Sequence, residues 1–151
     1  MAEKPITENT NCFIHTGDPR DEEVALLLRN ARTIAIVGLS DTPTRDSHSV
    51  ALYMMEKGYR VIPVNPNFSE ILGEKSYPDL LSIPDKVDIV DIFRKTEFIP
   101  EIVDEAIKIK AGAIWMQLKL YHEQASRKAR KAGLTVIQSK CIKIEHAMLL
   151  G

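Results

Sequence analysis

The sequence has no excess of charge of either sign, since 20 Lys and Arg residues stand against 21 Asp and Glu residues. A balanced chain has no general attraction for nucleic acid or an anionic membrane, so any anion must be held by a local site. No apolar run approaches the roughly 20 residues of a membrane helix, and the polar start Met1-Ala-Glu-Lys-Pro5 lacks the apolar core of a secretory signal. These absences predict a cytoplasmic protein with neither a nucleic-acid nor a membrane partner.

Cysteine is also scarce, and the two cysteines, Cys12 and Cys141, are far apart in the chain. Their spacing fits neither a zinc site nor a CxxC redox motif. Two reduced thiols are the ordinary state in a cytosolic protein, but intracellular proteins of hyperthermophiles do carry disulfides. The sequence leaves open whether Cys12 and Cys141 are joined.

The 151 residues are enough for one domain with a real core and too few for separate binding and catalytic domains. A hydrophobic content of 44% and a charged content of 27% are ordinary for a globular protein and argue against long disorder. We predict an N-terminal arm at residues 1–20 and a single domain at residues 21–151.

Short apolar runs alternate with segments whose apolar residues recur every three or four positions, the pattern of buried parallel strands alternating with helices. The acidic turn Asp21-Glu-Glu23 begins the first helix, which should end near Asn30. This order predicts a Rossmann-like three-layer α/β/α fold with a five-stranded, mainly parallel sheet. The predicted strands are 33–37, 59–64, 87–93, 113–116 and 134–137.

Cap and turn residues predict where the helices begin and end. The hydroxyl of Ser47 predicts a helix N-cap, and Gly58 and Gly133 predict helix ends. Segment 67–85 contains glycine and prolines, so we expect a loop there with at most a short helix around 79–81.

Ligands of an open parallel sheet bind beyond the carboxyl ends of its strands. The loop after the first predicted strand is the most informative segment, because a glycine followed by a helix N-terminus places backbone N–H groups around a phosphate. Its hydroxyls and an arginine add donors, although a plain polar loop would look the same from spacing alone. The candidate phosphate-binding residues are Gly38, Leu39, Ser40, Arg45, Ser47 and His48.

The same loop lacks the fingerprint of a nicotinamide dinucleotide site. Gly38-Leu-Ser-Asp-Thr-Pro43 has one glycine where GxGxxG needs three, and the second predicted strand is followed by Asn65 rather than an acidic residue. An NAD(P)-dependent reductase is therefore disfavoured. Val64, Asn65 and Pro66 either present backbone and amide groups to an adenine or ribose, or form only a rigid turn.

Two further strand ends complete the candidate site. Phe93 and Arg94 either line a groove for a long ligand of mixed polarity, or are an edge-of-core ring and a solvated cation. Trp115, Met116 and Gln117 end the fourth predicted strand, where a tryptophan taken alone is more typical of the core.

The sequence shows no convincing catalytic constellation. Of four histidines, only His48 lies near the predicted phosphate loop, where it could contact phosphate, act as a base or simply pack. No Asp or Cys partner lies at a defined spacing from it. Cys141 begins the last helical stretch, and we interpret it as a buried inert thiol rather than an activated one.

Several short motifs follow one another in order along residues 21–149. They are Ile36-Val-Gly-Leu-Ser40 followed by Pro43, Arg45, Ser47, His48, Val50 and Ala51; Gly58-Tyr59; Pro63-Val-Asn-Pro66; Val87-Asp-Ile-Val-Asp-Ile-Phe-Arg94; Trp115-Met-Gln-Leu118; and Cys141-Ile-Lys-Ile-Glu145. In this order they resemble the stand-alone CoA-binding domain proteins, a family related to the N-terminal domain of the succinyl-CoA synthetase alpha subunit. One departure is Lys119, where relatives commonly have glycine.

The resemblance implies coenzyme A bound across the strand ends. Its diphosphate would lie against residues 38–48, its adenosine near 64–66, and its pantetheine arm along 93–94 and 115–117. The phosphorylated histidine of the synthetase lies in another domain, so no histidine of this chain is equated with it.

Two functions remain at this point. The first is a non-catalytic CoA or acyl-CoA binding protein that serves as a carrier, a sensor or the partner of an acyl-CoA enzyme; a homodimer is the default expectation for a small domain. The alternative is a small CoA-dependent acyl transferase or thioesterase in which His48 is the base.

Overall fold

The computed structural model describes residues 17–151. Cys12 and His15, with most of the predicted arm, lie outside the described residues. The helices are α1 Asp21–Asn30, α2 Asp46–Glu56, α3 Ile99–Lys108, α4 Glu123–Lys131 and α5 Ile142–Leu149, with short 3₁₀ turns at Leu80–Ser82 and Thr96–Phe98. The strands are β1 Thr33–Val37, β2 Arg60–Val64, β3 Glu70–Ile71, β4 Glu74–Lys75, β5 Ile89–Ile92, β6 Ala113–Met116 and β7 Thr135–Ile137.

The five longer strands form one parallel sheet in the order β2-β1-β5-β6-β7. This confirms the predicted Rossmann-like α/β fold. The chain moves outward from β1 to β2, then returns to the other side of β1 to form β5. The loops after β1 and β5 therefore diverge, which is the topological switch point where open α/β sheets bind ligands.

Helices cover both faces of the sheet because the strands are apolar on both sides. On one face, Val90 and Ile114 pack with α3 and α4. On the other face, Ile36, Ile89 and Trp115 pack with α1, α2 and α5. Since successive strand residues point to opposite faces, these nearly continuous apolar runs build two cores with one sheet between them.

The helix ends follow the glycines, but one helix start differs from the prediction. Gly58 and Gly133 both have φ +96°, the left-handed conformation that follows many helices. The Ser47 N-cap prediction is wrong, because α2 begins at Asp46 and Arg45 is its N-cap. Ser47 lies one residue inside the helix, where its hydroxyl accepts a hydrogen bond from the loop before it.

Segment 67–85 is more ordered than expected. It contains the hairpin of β3 and β4, in which Glu70 pairs with Lys75, as well as the short helix expected near 79–81. The turn residues Leu72 and Gly73 both have positive φ, at 55° and 77°. A two-residue turn of this kind suits a tight hairpin, but leucine at its first position gives no turn signal in the sequence.

The edge strand β2 tolerates Pro63 because the backbone of this residue points away from β1. Val64 O accepts a hydrogen bond from Gly38 N, on the side of β1. Pro63 faces the other way, where its carbonyl accepts a hydrogen bond from Tyr77 N and no N–H is needed. Tyr77 also accepts a hydrogen bond from Asn65 N, so the segment at Tyr77 covers this end of the edge.

Across residues 17–151, no helix combines the length and the apolar character needed to cross a membrane.

Candidate functional site

Gly38 brings the ends of three strands close together. It has φ +90°, and a Cβ at this position would overlap the carbonyl oxygen of Phe93. Its N–H donates to Val64 O over 2.9 Å, while Phe93 N donates to Val37 O over 2.8 Å. The tight spacing of β2, β1 and β5 at this edge therefore requires glycine for two reasons, its backbone conformation and its missing side chain.

The loop between β1 and α2 is held by its own side chains. Ser40 N donates to Ser47 Oγ over 3.0 Å, and Thr42 N donates to Ser40 Oγ over 3.0 Å. These two hydroxyls are candidates for phosphate contacts; each accepts a hydrogen bond from the loop and keeps its own O–H as a donor. Arg45 is exposed at the start of α2, and the first backbone N–H groups of a helix lack intrahelical partners. Arg45 and this helix start can attract an anion, and the serine hydroxyls can still donate to it.

The ring of His48 also stabilises the loop between β1 and α2. Its Nδ1 lies 2.9 Å from the carbonyl oxygen of Ser40, and the residue is 7% exposed. A carbonyl oxygen only accepts hydrogen bonds, so Nδ1 carries the proton. In the neutral ring Nε2 is then the acceptor.

Asn65 links the loop after β2 to the loop after β1. Its Nδ2 donates to Leu39 O over 2.9 Å, and its Oδ1 accepts a hydrogen bond from Asn67 N over 3.0 Å. The amide thus fixes the turn and ties it to the loop after β1, and whether Val64, Asn65 and Pro66 also contact an adenine or ribose stays a prediction. Of the other predicted residues here, Leu39 and Val64 are buried and Pro66 is exposed.

A cavity of about 580 Å³ opens beside these loops, on the face of the sheet covered by α2 and α5. We call it the strand-end cavity. Its walls are the start of α2, the chain after β5, the chain after β6 and the start of α5. The lining residues are Asp46, Ser49, Val50, Phe93, Arg94, Lys95, Gln117, Leu118, Leu120, Cys141, Lys143 and Ile144.

Three of the predicted site residues line this cavity: Phe93, Arg94 and Gln117. Trp115 and Met116 do not, because both are fully buried in the two cores. The indole of Trp115 donates to Lys140 O over 2.8 Å and so holds the approach to α5. Whether any of these residues contacts coenzyme A stays a prediction.

Arg94 separates the strand-end cavity from a smaller one. Val64, Pro66 and Arg94 line a second cavity of about 240 Å³ on the opposite face of the sheet. The guanidinium carbon of Arg94 lies 4.1 Å from the ring centroid of Phe98, a cation–π contact that fixes its position. One arginine can therefore reach a ligand on either side of the strand ends.

Sequence reasoning missed the contribution of α5. Lys143 lines the cavity, and its Nζ donates to Ser49 Oγ of α2 over 3.0 Å. Cys141 is the N-cap of α5 and has a free thiol. The interpretation of Cys141 as a buried thiol is wrong, since the residue is half-buried and lines the cavity. Its place at a helix start was the available signal; nothing in the sequence showed that this start faces α2.

A buried carboxyl group lies at the base of this region. Asp91 of β5 is fully buried, and its Oδ1 accepts a hydrogen bond from Nε2 of Gln117. Burial raises the pKa of Asp91 to about 8, although the hydrogen bond from Gln117 lowers it. The acid is therefore mostly neutral at pH 7.

The chemistry of the site suits binding of an elongated anion. Arg94, Lys95 and Lys143 supply positive charge, and the apolar lining residues can cover a ligand arm. Among residues 17–151, no cluster of three or more His, Cys, Asp and Glu side chains could hold a metal ion.

Comparison with known proteins identifies the family. A family profile described as a CoA binding domain matches residues 32–147. The protein YneT of Bacillus subtilis (strain 168) is 40% identical over 131 residues, which cover 87% of this chain and 97% of YneT. The structure of a hypothetical protein from Pyrococcus horikoshii OT3 has a TM-score of 0.86 and 40% identity, with all of both chains covered.

A more distant relative is part of a larger protein. The alpha subunit of acetate–CoA ligase [ADP-forming] I of Pyrococcus furiosus is 27% identical over 126 residues, which cover 73% of this chain but only 27% of that subunit. The resemblance expected from the ordered motifs is thus confirmed. The chain belongs to the CoA binding domain family.

Proposed function

We propose that this protein binds coenzyme A or an acyl-CoA across the carboxyl ends of β1, β2, β5 and β6 and acts as a non-catalytic binding module. It would serve as a carrier, a sensor or the partner of an acyl-CoA enzyme. The observation that supports this most directly is the strand-end cavity, which combines cations and an apolar wall at the switch point of the sheet.

The anionic part of coenzyme A has complementary charge at this edge. Arg94, Lys95 and Lys143 line the cavity against one carboxylate, Asp46. Arg45 and the start of α2 add a further cation and the positive end of a helix dipole. The chain as a whole is balanced in charge, so this local concentration is what would attract phosphate groups.

The pantetheine arm has a matching wall. A volume of about 580 Å³ lies within the range of roughly 300–1,000 Å³ typical of small-molecule sites. Phe93, Val50 and Ile144 offer apolar surface, and Gln117 offers a carboxamide to the amides of the arm. An adenosine end near Val64 and Pro66 could use the smaller cavity beyond Arg94, which Asp79, Glu101 and Glu105 also line and which therefore suits a base or ribose better than a phosphate.

Titration calorimetry with coenzyme A tests the proposal, with NAD and ATP run in parallel on protein stripped of ligand. We expect selective binding of coenzyme A, weakened several-fold in Arg45→Ala because a charge-assisted contact to phosphate is lost. Arg29→Ala is the matched control, since Arg29 is an exposed arginine at the end of α1. Absence of coenzyme A binding, or equal weakening in both variants, would contradict the proposal.

The enzyme alternative depends on His48. Its Nε2 has the acceptor character a base needs, but its Nδ1 is bonded to a backbone carbonyl rather than to a carboxylate that would stabilise the charged ring. We therefore favour binding over turnover. A steady-state assay with several acyl-CoAs separates the two: turnover that is lost in His48→Ala while binding is retained would establish the transferase or thioesterase.

A further inference from the structure

Asp91 is a carboxyl group where the sheet is otherwise apolar. It lies on β5 between Ile36 of β1 and Trp115 of β6 and is 0% exposed. Its Oδ2 is buried and has no hydrogen-bond partner among the described residues. Burying a carboxyl group without full hydrogen bonding destabilises a fold, so its position calls for a role beyond packing.

Within residues 17–151, the one group hydrogen-bonded to this carboxyl is Gln117, whose Nε2 donates to Oδ1. Gln117 is only 5% exposed, yet it lines the strand-end cavity. The oxygen and nitrogen of a carboxamide lie on opposite sides of one carbon, so anchoring Nε2 on Asp91 turns Oε1 away from it. Asp91 thereby decides which end of the amide is left for a ligand.

We infer that Asp91 is a positioning residue for ligand recognition, which holds the Gln117 carboxamide in one orientation so that its oxygen accepts an N–H of an amide-bearing ligand arm. The inference rests on the proposed function, because the pantetheine arm of coenzyme A is the amide-bearing group that would lie there. Asp91 would thus contribute to ligand recognition without contacting the ligand itself.

Protonation of Asp91 then controls the geometry. The neutral acid fits a dry site, and burial, which raises its pKa, keeps it neutral at pH 7. Above pH 8 the buried carboxylate has no donor for Oδ2, so we expect Gln117 or water to rearrange around it and to change the orientation of the carboxamide that the ligand arm meets. β1 and β6 contribute no ionisable side chain. The ionisable side chains of the helices on that face of the sheet are Asp46, His48, Tyr53 and Glu56 of α2, Lys143, Glu145 and His146 of α5 with Cys141 as its N-cap, and Asp21, Glu22, Glu23 and Arg29 of α1; Arg94 and Lys95 follow β5.

The test is the pH dependence of coenzyme A affinity in the wild type and in Asp91→Asn, which keeps the shape and the acceptor but cannot ionise. If only the neutral acid is competent, wild-type affinity falls about tenfold between pH 7 and pH 9. Asp91→Asn should bind coenzyme A with the same affinity at pH 7 and at pH 9. Desulfo-coenzyme A is measured alongside, because it lacks a thiol that could titrate.

Two variants complete the design. Gln117→Ala should weaken binding at every pH and remove the pH step. Asp88→Asn should keep the wild-type pH profile, because Asp88 lies before the amino end of β5 and accepts hydrogen bonds from Arg32 N and Thr33 N. An unchanged pH step in Asp91→Asn, or wild-type affinity in Gln117→Ala, overturns the inference.

Failure of the proposed function would be visible separately. If the wild type binds no coenzyme A at any pH, the side-chain amide resonances of Gln117 are followed by NMR in the free protein. A step near pH 8 that disappears in Asp91→Asn keeps the positioning role. Amide resonances that do not move with pH overturn it.

Discussion

At the scale of single residues, Gly38 is the position where substitution should cost most. Gly38→Ala adds a Cβ that overlaps Phe93 O, and it also requires alanine to adopt φ +90°. We expect a loss of more than about 2 kcal/mol in the free energy of unfolding, measured by urea denaturation. Gly58→Ala is the control, because φ is +96° there but no atom lies within 4 Å of the added Cβ. Equal losses in the two variants would show that the contact with Phe93 O is unimportant.

Lys119 adopts a backbone conformation that is typical of glycine. It has φ +71°, and its N–H donates to Ser139 Oγ over 3.0 Å. The departure from the family pattern at this position therefore does not change the handedness that glycine favours. The lysine itself adopts the left-handed conformation in the turn after β6.

Residues that line the strand-end cavity were predictable from the sequence only where they directly follow the end of a strand. The rule that ligands bind beyond strand ends predicted Phe93, Arg94 and Gln117, because each follows the end of a buried run, and all three line the strand-end cavity. It could not find Lys143, since contact between α5 and α2 depends on packing between elements that are far apart in sequence. It also placed Trp115 near the ligand, whereas the pleat directs that ring into the core.

At the scale of elements, α4 depends on an unusual cap. His122 is its N-cap, and Nδ1 of the ring accepts a hydrogen bond from Ala125 N over 3.1 Å. His122→Ala should lower the free energy of unfolding by about 1 kcal/mol because one helix N–H loses its acceptor. His122→Asn should retain most of the free energy of unfolding that His122→Ala loses. Urea denaturation of the three proteins checks this, and no difference between wild type and His122→Ala would exclude a capping role.

The helices and long strands were predictable because their patterns span whole elements. Apolar spacing predicted α3, and a run of apolar residues predicted β1, each with the observed core face. The hairpin of β3 and β4 was not predicted, because strands of two residues carry no periodicity. The start of α2 was misplaced by two residues, since the N-cap is Arg45 rather than Ser47, and the hydroxyl of Ser47 accepts a hydrogen bond from Ser40 N outside its own helix rather than from an N–H within it.

At the scale of the whole molecule, Asp91 makes stability depend on pH. In the unfolded chain this carboxyl loses its proton near its ordinary pKa of 3.8, whereas in the folded protein burial raises the pKa to about 8. Between these values the folded protein binds more protons than the unfolded chain, so stability falls as pH rises through the window and is level above it. The contribution is on the order of 1 kcal/mol per pH unit.

Comparison with Asp91→Asn isolates this contribution from all other titrations. The unfolding free energy of the wild type, minus that of the variant, should decrease steadily from pH 4 to pH 8. Urea denaturation at pH 5, 6, 7 and 8 gives the difference directly. Parallel stability curves for the two proteins would mean that Asp91 ionises normally in the fold.

The covered edge of the sheet has a consequence for the molecule in a crowded cell. An exposed edge strand is a template onto which another chain can add its own strand, which is a common start of aggregation. On β2, Pro63 offers no N–H to an incoming chain, and its carbonyl is already bonded to Tyr77. The segment after the β3–β4 hairpin, which supplies Tyr77, thus covers this edge of the sheet, and we expect that loosening it would expose β2 to strand addition by another chain.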